Sequence, residues 1–247
     1  LNMARQIPRG HLPFPMPERS HALVQEWRDL TFMHWEVEPE ALMPHIPKGL
    51  EIDLFQGKAY VGTIPFVMKN VRPRMLPSLP GVSTFPEFNI RTYVTKNGKP
   101  GVLFITLEAQ SRITCWHAPR SYGLPYRYAK CNLNASDDKY SWKSRRTSDG
   151  VELEGECEIH GESRVAEKNS LEYFLFERYS LYTEHKGKLH MAYTLHAPWV
   201  FKDGTAKIMK NTLTESYGLG IDAMNPQHVH ASEGVYVQTW PIEEVVS

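Results

Sequence analysis

The clearest pattern of apolar and polar positions lies between Thr84 and Lys130. Phe88, Ile90, Thr92 and Val94 share one face of a period-two alternation; Glu87, Asn89, Arg91 and Tyr93 share the other. Asn97-Gly98 follows, a pair that tolerates the positive φ angles of a tight hairpin. The next run, GVLFITLEAQ, is apolar on both faces, which predicts a deeply buried strand. Phe88 to Val94 are expected to pair antiparallel with Val102 to Gln110. A helix is predicted from about Ser111, ended by a Gly-Leu-Pro-Tyr turn that leads into another strand.

The flanking sequence is read the same way. The arm from Ile7 to Pro17 carries Pro8, Pro13, Pro15 and Pro17, so it packs as an extended strap rather than a helix. A strand holding Leu30, Phe32, Trp35 and Val37 comes next. Pro39 in EPEALMPHIP suits the first turn of a short helix, and the acids around it suit the helix's positive end. LEIDLFQGKAYVGTIPFVMKNV reads as two strands around Gln56-Gly57, and VRPRMLPSLPGVS as a proline-rich loop. KYSWKSRRT and VELEGECEIHGE predict a hairpin at Asp149-Gly150. NSLEYFLFERYSLYT predicts a helix, because Leu171, Phe174, Leu175, Arg178 and Leu181 recur at helical spacing behind a capping Asn169 or Ser170. LHMAYTLHAPWVF and VYVQTWPIEEV close the chain as strands. No repeat or linker divides residues 1–247, so one mixed α+β domain with a large, closed or nearly closed antiparallel sheet fits best.

Charge and composition narrow the function. Lysine and arginine balance the acids at 28 each, which removes any electrostatic case for a nucleic-acid partner. No apolar run is long enough to span a bilayer, and the opening LNMARQIPRG has no apolar core of a secretory leader. Cys115, Cys131 and Cys157 are far apart and odd in number, so they make no disulfide framework; a reducing cytoplasm is the simplest expectation.

Three constellations could carry chemistry. Glu87, Asn89 and Arg91 form either a solvated edge or the polar lining of a cavity, where an arginine fork would hold a carboxylate or carbonyl oxygen. Arg120, Tyr122, Tyr126, Arg127 and Tyr128 surround Gly123-Leu124-Pro125; they either orient a ligand over a helix end or pack as an aromatic turn. His228 and His230 would share one strand face, as metal ligands do. No third ligand accompanies them, and with His185, His190 and His196 they read as scattered surface histidines. No metal and no cofactor is expected.

Several phrases together resemble the YqjF-like bacterial family, domain of unknown function 2071, in the acetoacetate-decarboxylase-like superfamily. They are WRDLTFMHWEVEPEALMPHIPKGLEID, GKAYVGTIPFVMKNVRPR, FPEFNIRTYV, RSYGLPY, FLFERYSLY and HAPW, in order over most of the chain. The resemblance implies a cone-like antiparallel β-barrel with helices packed outside and a pocket inside. It implies that Glu87 matches a pocket glutamate, Arg28 a pocket arginine, and Arg120 the arginine ahead of the catalytic turn. At that turn the decarboxylases carry Pro-Lys-Lys, whose first lysine forms a Schiff base. Here the turn reads Pro125-Tyr126-Arg127, and a phenol forms no imine. Lys130 would need a register shift to serve.

The resulting expectation is a cytoplasmic protein with an internal pocket for a small carboxylate or keto compound and no Schiff-base lysine. Arg28, Glu87 and Arg120 are expected to converge on that pocket, with Asn89, Arg91 or Tyr126 at its wall. Flanking arginines would hold Glu87 ionised at neutral pH. A lyase or hydratase using Glu87 and Tyr126 as acid and base is one alternative; a structural or interaction protein with a packed barrel is another. Self-association is compatible with the sequence and not specified by it.

Overall fold

The computed structural model describes residues 6–246. The reading of LNMARQIPRG as leaderless therefore rests in part on residues 1–5, outside the described part. Leu12, Phe14 and Met16 of the proline-bearing arm pack against Tyr179, Leu195 and Trp240, so the strap is docked.

The first strand, β1 (Leu23–Val37), leads to α1 (Pro39–Leu42), which one tighter turn extends over Met43–His45. Then come β2 (Glu51–Ile52), β3 (Ala59–Pro73), β4 (Phe85–Lys96) and β5 (Lys99–Ala109). The hairpin between the last two turns on Asn97 and Gly98, at φ 50° and 71°, and its register runs from Lys96↔Lys99 to Glu87↔Ala109. Helix α2 (Arg112–Tyr122) starts where the Ser111 side chain accepts the Thr114 amide and stops at left-handed Gly123. A β-carbon at Gly123 would lie 2.3 Å from the Glu184 carbonyl oxygen, so only glycine fits there. Next are β6 (Tyr126–Ala135), β7 (Lys139–Arg146), β8 (Glu152–Val165), α3 (Leu171–Phe176), β9 (Ser180–His185) and β10 (Lys188–His196). The chain ends with β11 (Val200–Asn211), α4 (Thr212–Glu215), β12 (His228–Thr239) and β13 (Glu243–Glu244).

All these strands belong to one 13-stranded sheet, antiparallel except where β5 meets β6 and β9. Two long strands fork. β5 pairs with β6 at Leu107–Ala109 and with β9 at Val102–Leu103. β12 pairs with β11 at His230–Ala231 and with β10 at Val237–Thr239. The shared wall β12-β1-β3-β4-β5 is therefore closed twice: by β6, β7, β8 and β11 on one side, and by β9 and β10 on the other. Each closure encloses its own core. Phe88 and Ile90 face the first, with Trp142, Leu153 and Cys157. Tyr93 faces the second, with Phe66, Phe176 and Trp199.

Two local expectations need correction. The helix read over NSLEYFLFERYSLYT ends at Phe176, and Ser180–His185 form β9. Leu181 and Tyr182 pair with Val102 and Leu103 of β5, and that tertiary pairing overrides a helical apolar spacing. The strand read before Gln56-Gly57 shrinks to β2, which pairs with β4; the turn itself is closed by one bridge, Phe55 to Lys58.

Candidate functional site

The second closure is hollow. A cavity of about 440 Å³ lies between the shared wall, β9, β10 and α2. Most of its wall is apolar, with Trp27, Phe66, Phe85, Phe104, Phe176 and Trp199 among the lining side chains. The polar row of β4 provides the exception: Glu87, Asn89 and Arg91 all line it. Their apolar neighbours Phe88 and Ile90 face the other core, so the sheet's alternation alone aims the row inward.

Glu87 is 2% exposed, and Tyr126 donates its phenolic hydrogen to Glu87 Oε2 at 2.9 Å. Burial pushes the Glu87 carboxyl up to about 8, against the pull of that hydrogen bond. Burial, and then the neighbouring Glu87, hold Tyr126 well above the ordinary phenol value. At neutral pH the pair is thus an uncharged acid beside an uncharged phenol. Asn89 is 5% exposed, and its Oδ1 has no hydrogen-bond partner among the described residues.

Arg91 is 7% exposed. Its Nε donates to Tyr93 Oη at 3.2 Å and its Nη2 to the Leu175 carbonyl at 2.9 Å. Neither acceptor is a carboxylate, and among the described residues no carboxylate lies within salt-bridge distance. Arg178, also on the cavity wall, differs. It pairs with Asp53 at 2.6 Å, donates to the Phe174 carbonyl at 2.7 Å and stacks on Phe174. Tyr93 Oη also lies 2.7 Å from His34 Nε2. Burial, then Arg91, lower the His34 pKa well below its usual value, so His34 is neutral. Among the described residues the interior therefore keeps one buried cation without a carboxylate partner, Arg91, while half-buried Arg72 also lines the cavity.

The structure does not bring Arg28 and Arg120 to the cavity. Arg28 pairs with Glu26 at 2.5 Å on the face of β1 turned away from the cavity, where it lines a separate pocket with Asp29, Tyr140 and Phe201, while its neighbour Trp27 points into the cavity. A bulge between Arg28 and Met33, with Asp29 at φ 57°, shifts the β1–β3 register here. Gly234 sits opposite Arg28, where a β-carbon would fall 1.8 Å from the Trp27 carbonyl oxygen. Arg120 lies in the last turn of α2, donates to the Trp116 carbonyl at 2.6 Å and covers the exposed Trp116 ring. It donates to a carbonyl one turn back in its own helix in place of a ligand. With neither arginine beside Glu87, the expected lowering of its pKa gives way to the raising caused by burial.

Other cavity residues carried weaker signals. Arg178 and His196 lie in FERYSLY and HAPW, within phrases that read as helix face and surface histidine. His196 is buried, stacks on Tyr179 at 4.5 Å, and faces the Ala197 and Arg178 carbonyls at 2.7 and 3.1 Å. His230 is buried too, packed edge-on against Phe176 and Phe201, and burial lowers its pKa to about 4. Among the described residues no group of three or more side chains is placed to hold a metal. Lys130 is exposed on β6, and among the described residues no lysine lines the cavity.

Comparisons with known proteins agree with this architecture. The DUF2071 family, described as an uncharacterised conserved protein, matches residues 24–236. The uncharacterised protein YqjF of Bacillus subtilis (strain 168) is 35% identical over 235 residues, which cover 93% of this chain and 95% of that protein. Acetoacetate decarboxylase from Legionella pneumophila superposes with a TM-score of 0.65 at 13% identity, over 96% of this chain and 93% of that one. The enduracididine biosynthesis enzyme MppR, complexed with the condensation product of pyruvate and imidazole 4-carboxaldehyde, gives 0.64 at 14% identity, over 98% of both chains. An acetoacetate decarboxylase-like enzyme from Sphingomonas wittichii RW1 gives 0.64 at 10% identity, over 97% of this chain and 100% of that one. The fold is thus acetoacetate-decarboxylase-like.

Proposed function

The chain belongs to the DUF2071 family, and from that premise and the cavity we propose that it binds a carboxylic acid or oxo compound inside its barrel. Arg91 carries the proposal. A buried guanidinium with a phenol and a carbonyl as acceptors, and no carboxylate among the described residues, is costly, and an anionic ligand supplies the missing charge. Glu87 donates or accepts a hydrogen bond at the ligand's oxygen, with Tyr126 holding it. Asn89 adds an acceptor. Arg28 and Arg120 take no part. The same fold holds a pyruvate-derived ligand in MppR, which supports an oxo acid as the class. Imine chemistry is not part of the reading, because the turn that resembles the decarboxylases' Pro-Lys-Lys reads Pro125-Tyr126-Arg127 and Lys130 is exposed. A cytoplasmic setting belongs to the proposal too: Cys115, Cys131 and Cys157 are all free, and two of them are buried.

Acid–base turnover is the second reading. A carboxyl with a pKa of about 8 can give up or take a proton near neutral pH, as a lyase or hydratase requires. Thermal unfolding with a graded panel of carboxylic and oxo acids tests binding. At about one hundred times Kd, a ligand of the folded state should raise Tm by about 5–10 °C, and Arg91→Gln should erase the rise. A panel that leaves Tm unchanged would sink the proposal. Borohydride treatment with acetoacetate should leave no adduct; mass spectrometry finding one on any lysine would bring imine chemistry back.

A further inference from the structure

The cavity is long, and its polar groups are spread along its length. β1 lines it from Leu23 to Leu30, β3 from Pro73 back to Ile64, and β4 from Phe85 to Arg91. One end opens beside α2, where Ile113 lines the wall and is yet 59% exposed. The other end is closed by Phe176, Arg91 and Arg178, all buried.

Glu87 and Arg91 lie four residues apart on one strand, which separates their backbones by about 13 Å. The Arg91 guanidinium leans farther away, donating to Tyr93 and lying over the Phe32 ring. A carboxylate on Arg91 therefore cannot also place its own adjacent carbonyl at Glu87 and Tyr126. Between the two stations, Asn89 Oδ1 is buried without a partner among the described residues; Trp27 Nε1, likewise without one, lines the wall level with Phe85, on the far side of Glu87 from Arg91. The remaining wall is aromatic and aliphatic. At about 440 Å³ the volume falls within the range of drug-sized ligands, well above what a four-carbon acid fills.

We infer that, if Arg91 is the anion site as proposed above, the ligand is an elongated amphipathic acid: its carboxylate sits on Arg91, and a hydroxyl or carbonyl about 10 Å away meets Glu87 and Tyr126. The apolar segment between them lies against Phe66, Leu107 and Trp199. The ligand enters carboxylate first, past α2. This length requirement separates the site from one built for a short 2-oxo or 3-oxo acid.

Isothermal titration of the full chain with ω-hydroxy acids, from ω-hydroxybutanoate to ω-hydroxydodecanoate, tests the inference. Affinity should tighten about fourfold for each methylene buried and level off near the octanoate. ω-Hydroxyoctanoate should bind more tightly than octanoate. Its methyl ester should lose most of the affinity, a control that needs no variant, and Arg91→Gln should do the same once circular dichroism confirms its fold. Equal affinity along the series, with the ester still weakened, would overturn the elongated ligand and leave the anion site standing. Length dependence that survives in the ester would overturn the carboxylate station. Binding by no member would overturn both.

Discussion

The two faces of the wall β12-β1-β3-β4-β5 bury carboxylates in opposite ways. On the filled face, Glu108 is completely buried and Arg146 clasps it with two hydrogen bonds, at 3.0 and 2.7 Å. Thr106 adds a third at 2.7 Å, and Arg146 itself is held by Asp149 and Tyr217. The charges cancel inside a packed core. On the hollow face, among the described residues, Glu87 has the Tyr126 phenol as its side-chain partner and burial raises its pKa to about 8, while Arg91 has no carboxylate within salt-bridge distance. These carboxyls come from neighbouring strands, since Glu108 pairs with Phe88 and Glu87 with Ala109. A polar arrangement that holds the fold completes its own hydrogen bonds and charges. One that serves a ligand leaves some of them open.

Truncation should separate the faces most sharply. Phe88→Ala, in the filled core, should cost about 3–5 kcal/mol in urea unfolding. Phe85→Ala, at the cavity wall, should cost clearly less, because the space it opens joins one that already exists. Equal losses would mean that the cavity is no looser than the core.

Charge removal comes next. Arg146→Ala strands Glu108 and should cost about 3–5 kcal/mol. Arg91→Met strands no carboxylate and should leave stability unchanged or raise it. A comparable loss at both positions would break the contrast.

The pH dependence is smaller and has a definite sign. The Glu87 carboxyl ionises near 4.5 in the unfolded chain and near 8 in the folded one. Below that window both states are protonated. Within it the folded state keeps a proton the unfolded state has lost, so this group makes stability fall as pH rises; above the window its effect levels off. Glu87→Gln should flatten the fall and gain up to a few kcal/mol over the wild type near the upper limit. A variant curve parallel to the wild type throughout would show that Glu87 is ionised in the fold. Smallest of all, Arg28→Ala and Arg120→Ala should each change stability by less than about 1 kcal/mol and leave any ligand-induced Tm rise intact.

Much of this was legible in the sequence where one strand or one helix end decided the outcome. Alternation placed Glu87, Asn89 and Arg91 on the face opposite Phe88 and Ile90, whatever the strand packed against. Asn97-Gly98 specified the hairpin, and Ser111 with Gly123 bounded α2, because those φ angles and caps are local demands. The departures arise where distant elements meet. The bulge opposite Gly234 sets the direction of Arg28, and that depends on how β12 crosses β1. Arg120 found its partner within its own helix, which a match of motifs does not reveal. Pairing with β5 drew Ser180–His185 out of a helical pattern and carried Arg178 to the cavity. The protonation of Glu87 depends on how fully the folded barrel excludes water and keeps arginines away. Alternation along β4 set which way the polar row faces; only the closed sheet decided that it faces a cavity and which charges stand beside it.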